Sequence, residues 1–253
     1  MCLIVVAWRN HPEYPLVVAA NRDEFYKRPT APAAFWPDHP LVLAGRDLEA
    51  GGTWMGITRQ GRFAALTNFR DPARQRPRAP SRGRLVADFL TGDSSIDAYL
   101  DGLDASACNG FNLLLGDGER LVAFSNVSDE GHALQPGIYG LSNALLDTPW
   151  PKVGAGKTAL EAALDALPDE QRLWALLRDD RPHPDDALPA TGVPLEWERL
   201  LSAAFVRSAD YGTRSSTVLI VSGGQRATFD EQTWLAGGVA GGRARFRFRQ
   251  PSE

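Results

Sequence analysis

The chain has 253 residues, 43% of them hydrophobic and 23% charged, with a formal net charge of −4 and a pI near 5.6. This is an ordinary globular composition, and its acidic balance excludes a general attraction to nucleic acid or anionic membrane. No apolar run is long enough to span a bilayer, and two cysteines, Cys2 and Cys108, cannot build a disulfide framework, so a soluble protein of a reducing, cytoplasmic setting is expected.

The chain opens on "CLIVVAW", which has no basic flank and reads as a first strand rather than a signal peptide. "LVVAA" follows across the turn-rich "NHPEYP" and stops at Asn21, where "NRDEFY" begins. Residues 28–52, rich in Pro, Gly and Ala, are expected to form a long ordered loop. "TWMGIT" and "RFAALTNF" flank "RQG" as a hairpin, and "RDPARQRPRAP" is a basic loop.

Two helices come next: "RGRLVADFL", with Ser81 placed to cap it, and "IDAYLDGL", with Ser94 or Ser95. "FNLLL" and "RLVAFSN" form a hairpin around "GDGE", and "GIYGLSN" is a short strand. Three helical stretches lie within residues 152–206. Strands return in "STVLIVS", "QRATFDEQTW" and "RARFRFRQ", the last alternating arginine with Ala or Phe, so that one face is apolar and the other cationic. Strand pairs separated by helix pairs are not the strict alternation of a parallel doubly wound sheet. They predict an α+β fold of antiparallel sheets with helices on the outer faces. No linker divides residues 1–253, so one domain is expected.

Familiar ligand motifs are absent. Gly156-Lys157-Thr158 lacks the glycine that a phosphate-binding loop needs five residues earlier, where Pro151 stands. His11, His39, His132 and His183 do not fall at metal-ligand spacing, so no metal site is expected. Cys2 is the notable nucleophile. Were Met1 removed, its own α-amine would serve as base, with a reference pKa of about 7.7–8.0. Asn68 and Asn143 end predicted strands, as an oxyanion donor would. Arg22 and Asp23 follow the second strand, and Arg214 precedes a late one. Glu24 is the alternative acid to Asp23. Each alone is more often a turn former or a surface ion pair; their shared place at strand ends makes them site candidates.

The ordered series "MCLIVVAW", "AANRDEFYKRP", "GGTWMGITRQGRFAALTNFR", "NGFNLLLGD", "YGLSNALLDTPWPK" and "YGTRSSTVLIV" resembles the NRDE family, whose eukaryotic representative is transport and Golgi organisation protein 2. More remotely it is similar to the choloylglycine hydrolase and penicillin V acylase group. That likeness implies a four-layer αββα sandwich of the N-terminal nucleophile hydrolase kind. By resemblance Cys2 matches the nucleophile, Arg22 and Asp23 the arginine-aspartate pair, Asn68 and Asn143 the oxyanion and amine-positioning asparagines, and Arg214 the late arginine. The pair is adjacent here, whereas two residues usually separate it in that group.

What is reported for the NRDE family implies binding or trafficking of an amphipathic ligand, haem or an acyl-CoA, with haem as cargo and no required cofactor. The alternative is a cysteine amidohydrolase or acyltransferase. The expected pocket has an apolar body that includes Phe25, Trp54 and Phe69, with Asn21 and Glu24 beside it and cations at its mouth.

Overall fold

A computed structural model describes residues 2–251. In chain order the elements are β1 (Cys2–Trp8), β2 (Leu16–Phe25), β3 (Thr30–Phe35), β4 (Val42–Asp47), β5 (Met55–Thr58), β6 (Phe63–Asn68), α1 (Gly83–Thr91) and α2 (Ile96–Asp101). Then come β7 (Phe111–Gly116), β8 (Leu121–Ser125), β9 (Glu130–Ala133), β10 (Gly137–Leu141), α3 (Pro151–Leu164), α4 (Gln171–Leu177), α5 (Leu195–Ser202), β11 (Tyr211–Val221), β12 (Arg226–Leu235) and β13 (Val239–Arg249).

The strands form two antiparallel sheets, one ordered β10-β1-β2-β11-β12-β13 and the other a meander from β3 to β9. Side chains alternate across a strand, and β1 shows what that does here. Ile4, Val6 and Trp8 pack between the sheets with Phe63, Leu114 and Phe229. Leu3, Val5 and Ala7 face the opposite way, against Val153 and Leu160 of α3 and Leu173 and Leu177 of α4. A third apolar layer joins α1 and α2 to the far side of the second sheet through Phe89, Ile96, Phe111 and Leu115. The result is the expected αββα arrangement, with "CLIVVAW" an interior strand covered on both faces. Each aliphatic side chain so buried contributes about 1.5–3 kcal/mol. Among the described residues no helix is long and apolar enough to cross a membrane.

Residues 28–52 differ from the expected loop, because they hold β3 and β4. Pro32 and the scarcity of large apolar residues hide β3. It lies at the edge of its sheet and carries an irregularity between Ala31 and Ala34, the setting in which a strand accommodates proline. β9 was not legible either; all four of its residues are exposed and carry no alternation. Ser95 caps α2, accepting from the Ala98 N–H, whereas α1 starts at Gly83 behind Arg82 without a side-chain cap, so Ser81 does not cap it.

The irregularity in β3 frees the Ala33 N–H, and Glu231 of β12 collects it across the sandwich at 2.7 Å. Glu231 is buried, and burial pushes its carboxyl up to about 7 against this N–H, Thr217 and Arg22. A carboxyl raised in the folded state contributes stability that is fully present below pH 4.5 and is lost as pH rises from there through about 7. Glu231→Gln keeps an acceptor for Ala33 and cannot ionise. The stability of this variant relative to the parent is therefore expected to rise between pH 5 and pH 8 by roughly 2–3 kcal/mol, read from urea denaturation at each pH.

Candidate active site

Cys2 pairs directly with Arg22 across the β1–β2 hairpin. Partners in an antiparallel pair share a face, so thiol and guanidinium both point between the sheets. There they meet a cavity of about 490 Å³ whose lining includes Cys2, Arg22, Glu24, Trp54, Leu66, Asn68 and Arg82. Arg22 is only 7% exposed. Its guanidinium stacks on the Trp54 ring at 4.5 Å and lies 3.8 Å from Glu24, and its Nη1 has no hydrogen-bond partner among the described residues. The tryptophan reaches it by lying over Gly45, where an added Cβ would sit 2.3 Å from the ring.

The alternation of β2 divides "NRDE" in two. Arg22 and Glu24 face the cavity, while Asn21 and Asp23 turn toward the helices. Asn21 is a structural clamp rather than a ligand contact: its amide donates to the carbonyls of Leu177 and Ala204 at 2.9 and 2.7 Å and accepts from Ser216 at 2.5 Å. Asp23 borders the cavity, yet its carboxylate accepts from Thr213 Oγ1 at 2.7 Å. Burial pushes the Asp23 carboxyl up, opposed by Lys152, Thr213 and Arg22. Lys152 is buried as well and donates to Leu201 O at 2.9 Å. Burial drives its ammonium down to about 8, with Asp23 opposing.

Asn143 joins the parts. Its Oδ1 accepts the Cys2 N–H at 3.4 Å, and its Nδ2 donates to Asn68 O at 2.7 Å. The Arg70 N–H donates to Asn143 O at 2.8 Å, and Ser142 Oγ donates to Cys2 O at 2.8 Å. Arg70 is held by a buried ion pair with Glu198 at 2.6 Å. The Asn68 side chain borders the cavity beside Cys2. Met1 lies outside the described residues.

Three expected contacts lie elsewhere. Arg214 occupies a bulge in β11, between the register pairs of Thr213 and Ser215. The extra residue sends its Nη1 to the carbonyls of Phe25, Tyr26 and Arg28, at 2.9, 3.0 and 3.0 Å, where it ties down the chain leaving β2. Phe25 is 43% exposed and packs edge-on against Tyr211. Phe69 does not reach the cavity, which is mostly polar and charged rather than apolar in its body. Arg28, bound to Asp47 and Glu49 at 2.7 and 3.1 Å, forms its rim. Sequence reading missed Lys152 and Glu198; a lone lysine or glutamate in a helix gives no sign that the fold will bury it. Among the described residues no cluster of His, Cys, Asp or Glu is placed to hold a metal ion.

Two stacked antiparallel sheets between helical layers are the architecture of the N-terminal nucleophile hydrolase fold. The solved Caenorhabditis elegans N-acylethanolamine-hydrolysing acid amidase ortholog shares it, with a TM-score of 0.51 at 12% identity over 87% of this chain and 92% of that one. Within that class the chain belongs to the Transport and Golgi organisation 2 family, whose profile matches residues 1–236. The Bos taurus transport and Golgi organization protein 2 homolog is 41% identical, covering 93% of this chain and 94% of that protein. The Drosophila melanogaster protein is 33% identical, covering 92% of each.

Asn21→Ala strands two buried backbone carbonyls that the amide now satisfies. The expected loss is about 1–3 kcal/mol of folding stability, measured by chemical denaturation, with the cavity residues and any ligand affinity unchanged below the transition.

Proposed function

We propose that this chain is an N-terminal-cysteine hydrolase acting on a C–N or thioester bond. The observation that carries the reading is Cys2 opening onto the cavity with its main-chain nitrogen held by Asn143 at 3.4 Å. Removal of Met1 turns that nitrogen into a free amine beside its own thiol. The amine takes the thiol proton, and the thiolate sulfur bonds to the substrate carbonyl carbon. Asn68 donates to the resulting oxyanion, a preorganised donor of the kind that stabilises tetrahedral intermediates. Collapse breaks the bond to nitrogen or sulfur, and the leaving group takes the proton from the α-ammonium. Water then attacks the acyl-enzyme, with the amine again as base, releasing a carboxylic acid and restoring the thiol. Arg22, stacked and with Nη1 unpartnered, offers a cation to the substrate's oxygen atoms. The amidase activity in the name of the C. elegans protein belongs to that protein; it supports the choice of an amide bond here through fold alone.

The size of the cavity supports a second reading, a carrier of an amphipathic ligand such as haem or an acyl compound. Its charged lining favours the acyl compound, since no histidine borders it.

Mass spectrometry of the intact chain is expected to show Cys2 as the first residue. Incubation with activated acyl amides or acyl thioesters is expected to add an acyl mass at Cys2. Cys2→Ala abolishes the adduct while sparing affinity, and Asn68→Ala slows its formation on the order of 10²–10³-fold. Arg22→Ala keeps the fold and weakens substrate binding. Absence of any adduct on processed protein that still binds an acyl-CoA or haemin saturably overturns the enzyme reading in favour of the carrier.

A further inference from the structure

The cavity in front of Cys2 is lined by four acids and four arginines, but they are not paired one to one. Arg28 takes both Asp47 and Glu49, at 2.7 and 3.1 Å, and Asp23 accepts from Thr213 Oγ1 at 2.7 Å. Of the four acids only Glu24 comes within ion-pair distance of Arg22. It stands 3.8 Å away, is shared with Arg28 at 4.0 Å, and accepts the Phe25 N–H at 2.9 Å. Arg22 is 7% exposed, and its Nη1 has no hydrogen-bond partner among the described residues. A buried donor left unpaired is destabilising, and native structures hold few of them.

Arg82 lines the same cavity and forms no ion pair among the described residues. Its hydrogen bond there runs from Nη1 to Gly110 O at 3.0 Å, which leaves Nε and Nη2 without a partner among those residues. Burial holds its guanidinium below the usual arginine range, opposed by Cys108, Cys2 and Glu24. Cys2 and Glu24 are also the neighbours of Arg22, so the two guanidiniums serve one part of the cavity. Arg76, the fourth arginine, is exposed and donates to the carbonyls of Ser106 and Cys108.

Arg82 stands on a fixed backbone at the start of α1. Gly83 O accepts the Thr53 N–H at 3.0 Å. Gly52 packs on the same point, where an added Cβ would lie 2.3 Å from the Gly83 carbonyl carbon. The connection from β4 to β5 and the first turn of α1 are thereby locked together. A neutral ligand would leave both guanidiniums buried without a counter-charge, and a cation would be repelled. A carboxylate or phosphate group answers both, because a guanidinium offers N–H groups in a fork that matches paired oxygens.

We propose that Arg82 and Arg22 bind a carboxylate or phosphate group carried by the ligand, so that the substrate is an acyl amide or acyl thioester with an acid group apart from the bond to be cleaved. The acyl part of this description rests on the hydrolase reading above; the acid-binding subsite stands on the two arginines.

The test is calorimetric titration of the Cys2→Ala chain, in which no turnover intervenes, with two matched pairs of probes. One pair is N-octanoylglycine and its methyl ester; the other is S-octanoyl phosphopantetheine and S-octanoyl pantetheine. The anionic member of at least one pair is expected to bind about tenfold tighter or more than its neutral partner, the ordinary worth of hydrogen bonds to a charged group. The pair that shows the difference tells carboxylate from phosphate, and added salt narrows it. Arg82→Gln, whose amide still reaches for Gly110 O, removes most of the preference. Arg82→Lys, a point charge without the fork, keeps part of it and serves if the glutamine variant fails to fold. Arg84→Gln removes the same charge two residues on, outside the cavity lining, and keeps the preference. Absence of binding or equal affinity within both pairs overturns the proposal, as does a preference that survives Arg82→Gln or falls as far in Arg84→Gln. The hydrolase reading stands or falls separately, on the acyl adduct at Cys2 of the parent chain.

Discussion

The site rests on one side chain that cannot be in two arrangements at once. Asn143 spends its carbonyl oxygen on Cys2 and its amide on the Asn68 main chain, while its own carbonyl takes the Arg70 N–H. Cys2 belongs to one sheet and Asn68 to the other. The inter-sheet spacing at Cys2 is therefore fixed by hydrogen bonds rather than by the apolar core, which tolerates small shifts in packing. A carboxamide suits this post because it donates and accepts without adding charge beside a thiol.

Behind Cys2 lies a set of buried charges. Asp23 and Lys152 sit on the helix side of β2, and Arg70 with Glu198 closes the group. Glu198 also binds Thr191 through its second oxygen, so both of its oxygens are engaged. Buried ions are costly to desolvate, and removing one partner strands the other. The network gains little net stability and a great deal of definition. The strand ends around Cys2 are held by partners with few alternative geometries.

Strand periodicity made the architecture legible. "CLIVVAW" announces burial on both faces, and "RARFRFRQ" shows its two-sided character directly. β3 and β9 were hidden because an edge strand needs neither large side chains nor alternation. Within the site, the structure brings together Cys2, Arg22, Asn68 and Asn143, four residue types that stand at strand ends in the sequence. Arg214 and Phe25 shared the same local signature and lie outside the cavity lining, because a bulge aims one at the carbonyls of Phe25, Tyr26 and Arg28 and the strand end left the other at the surface. Nothing in a sequence marks a bulge whose extra residue is an arginine.

The division of "NRDE" across the two faces of β2 carries a consequence for how this protein can vary in length. The Cys2–Arg22 pairing is set by counting back along two strands from the turn between Trp8 and Leu16. Residues added within that turn leave the pairing intact. A single residue gained or lost inside β2 ahead of Asn21 would exchange the two faces, turning the Asn21 and Asp23 side chains between the sheets and sending Arg22 and Glu24 among the helices. Such a deletion would remove one codon and invert this side of the site. Length changes that keep Cys2 opposite Arg22 are thus those made within the hairpin loop.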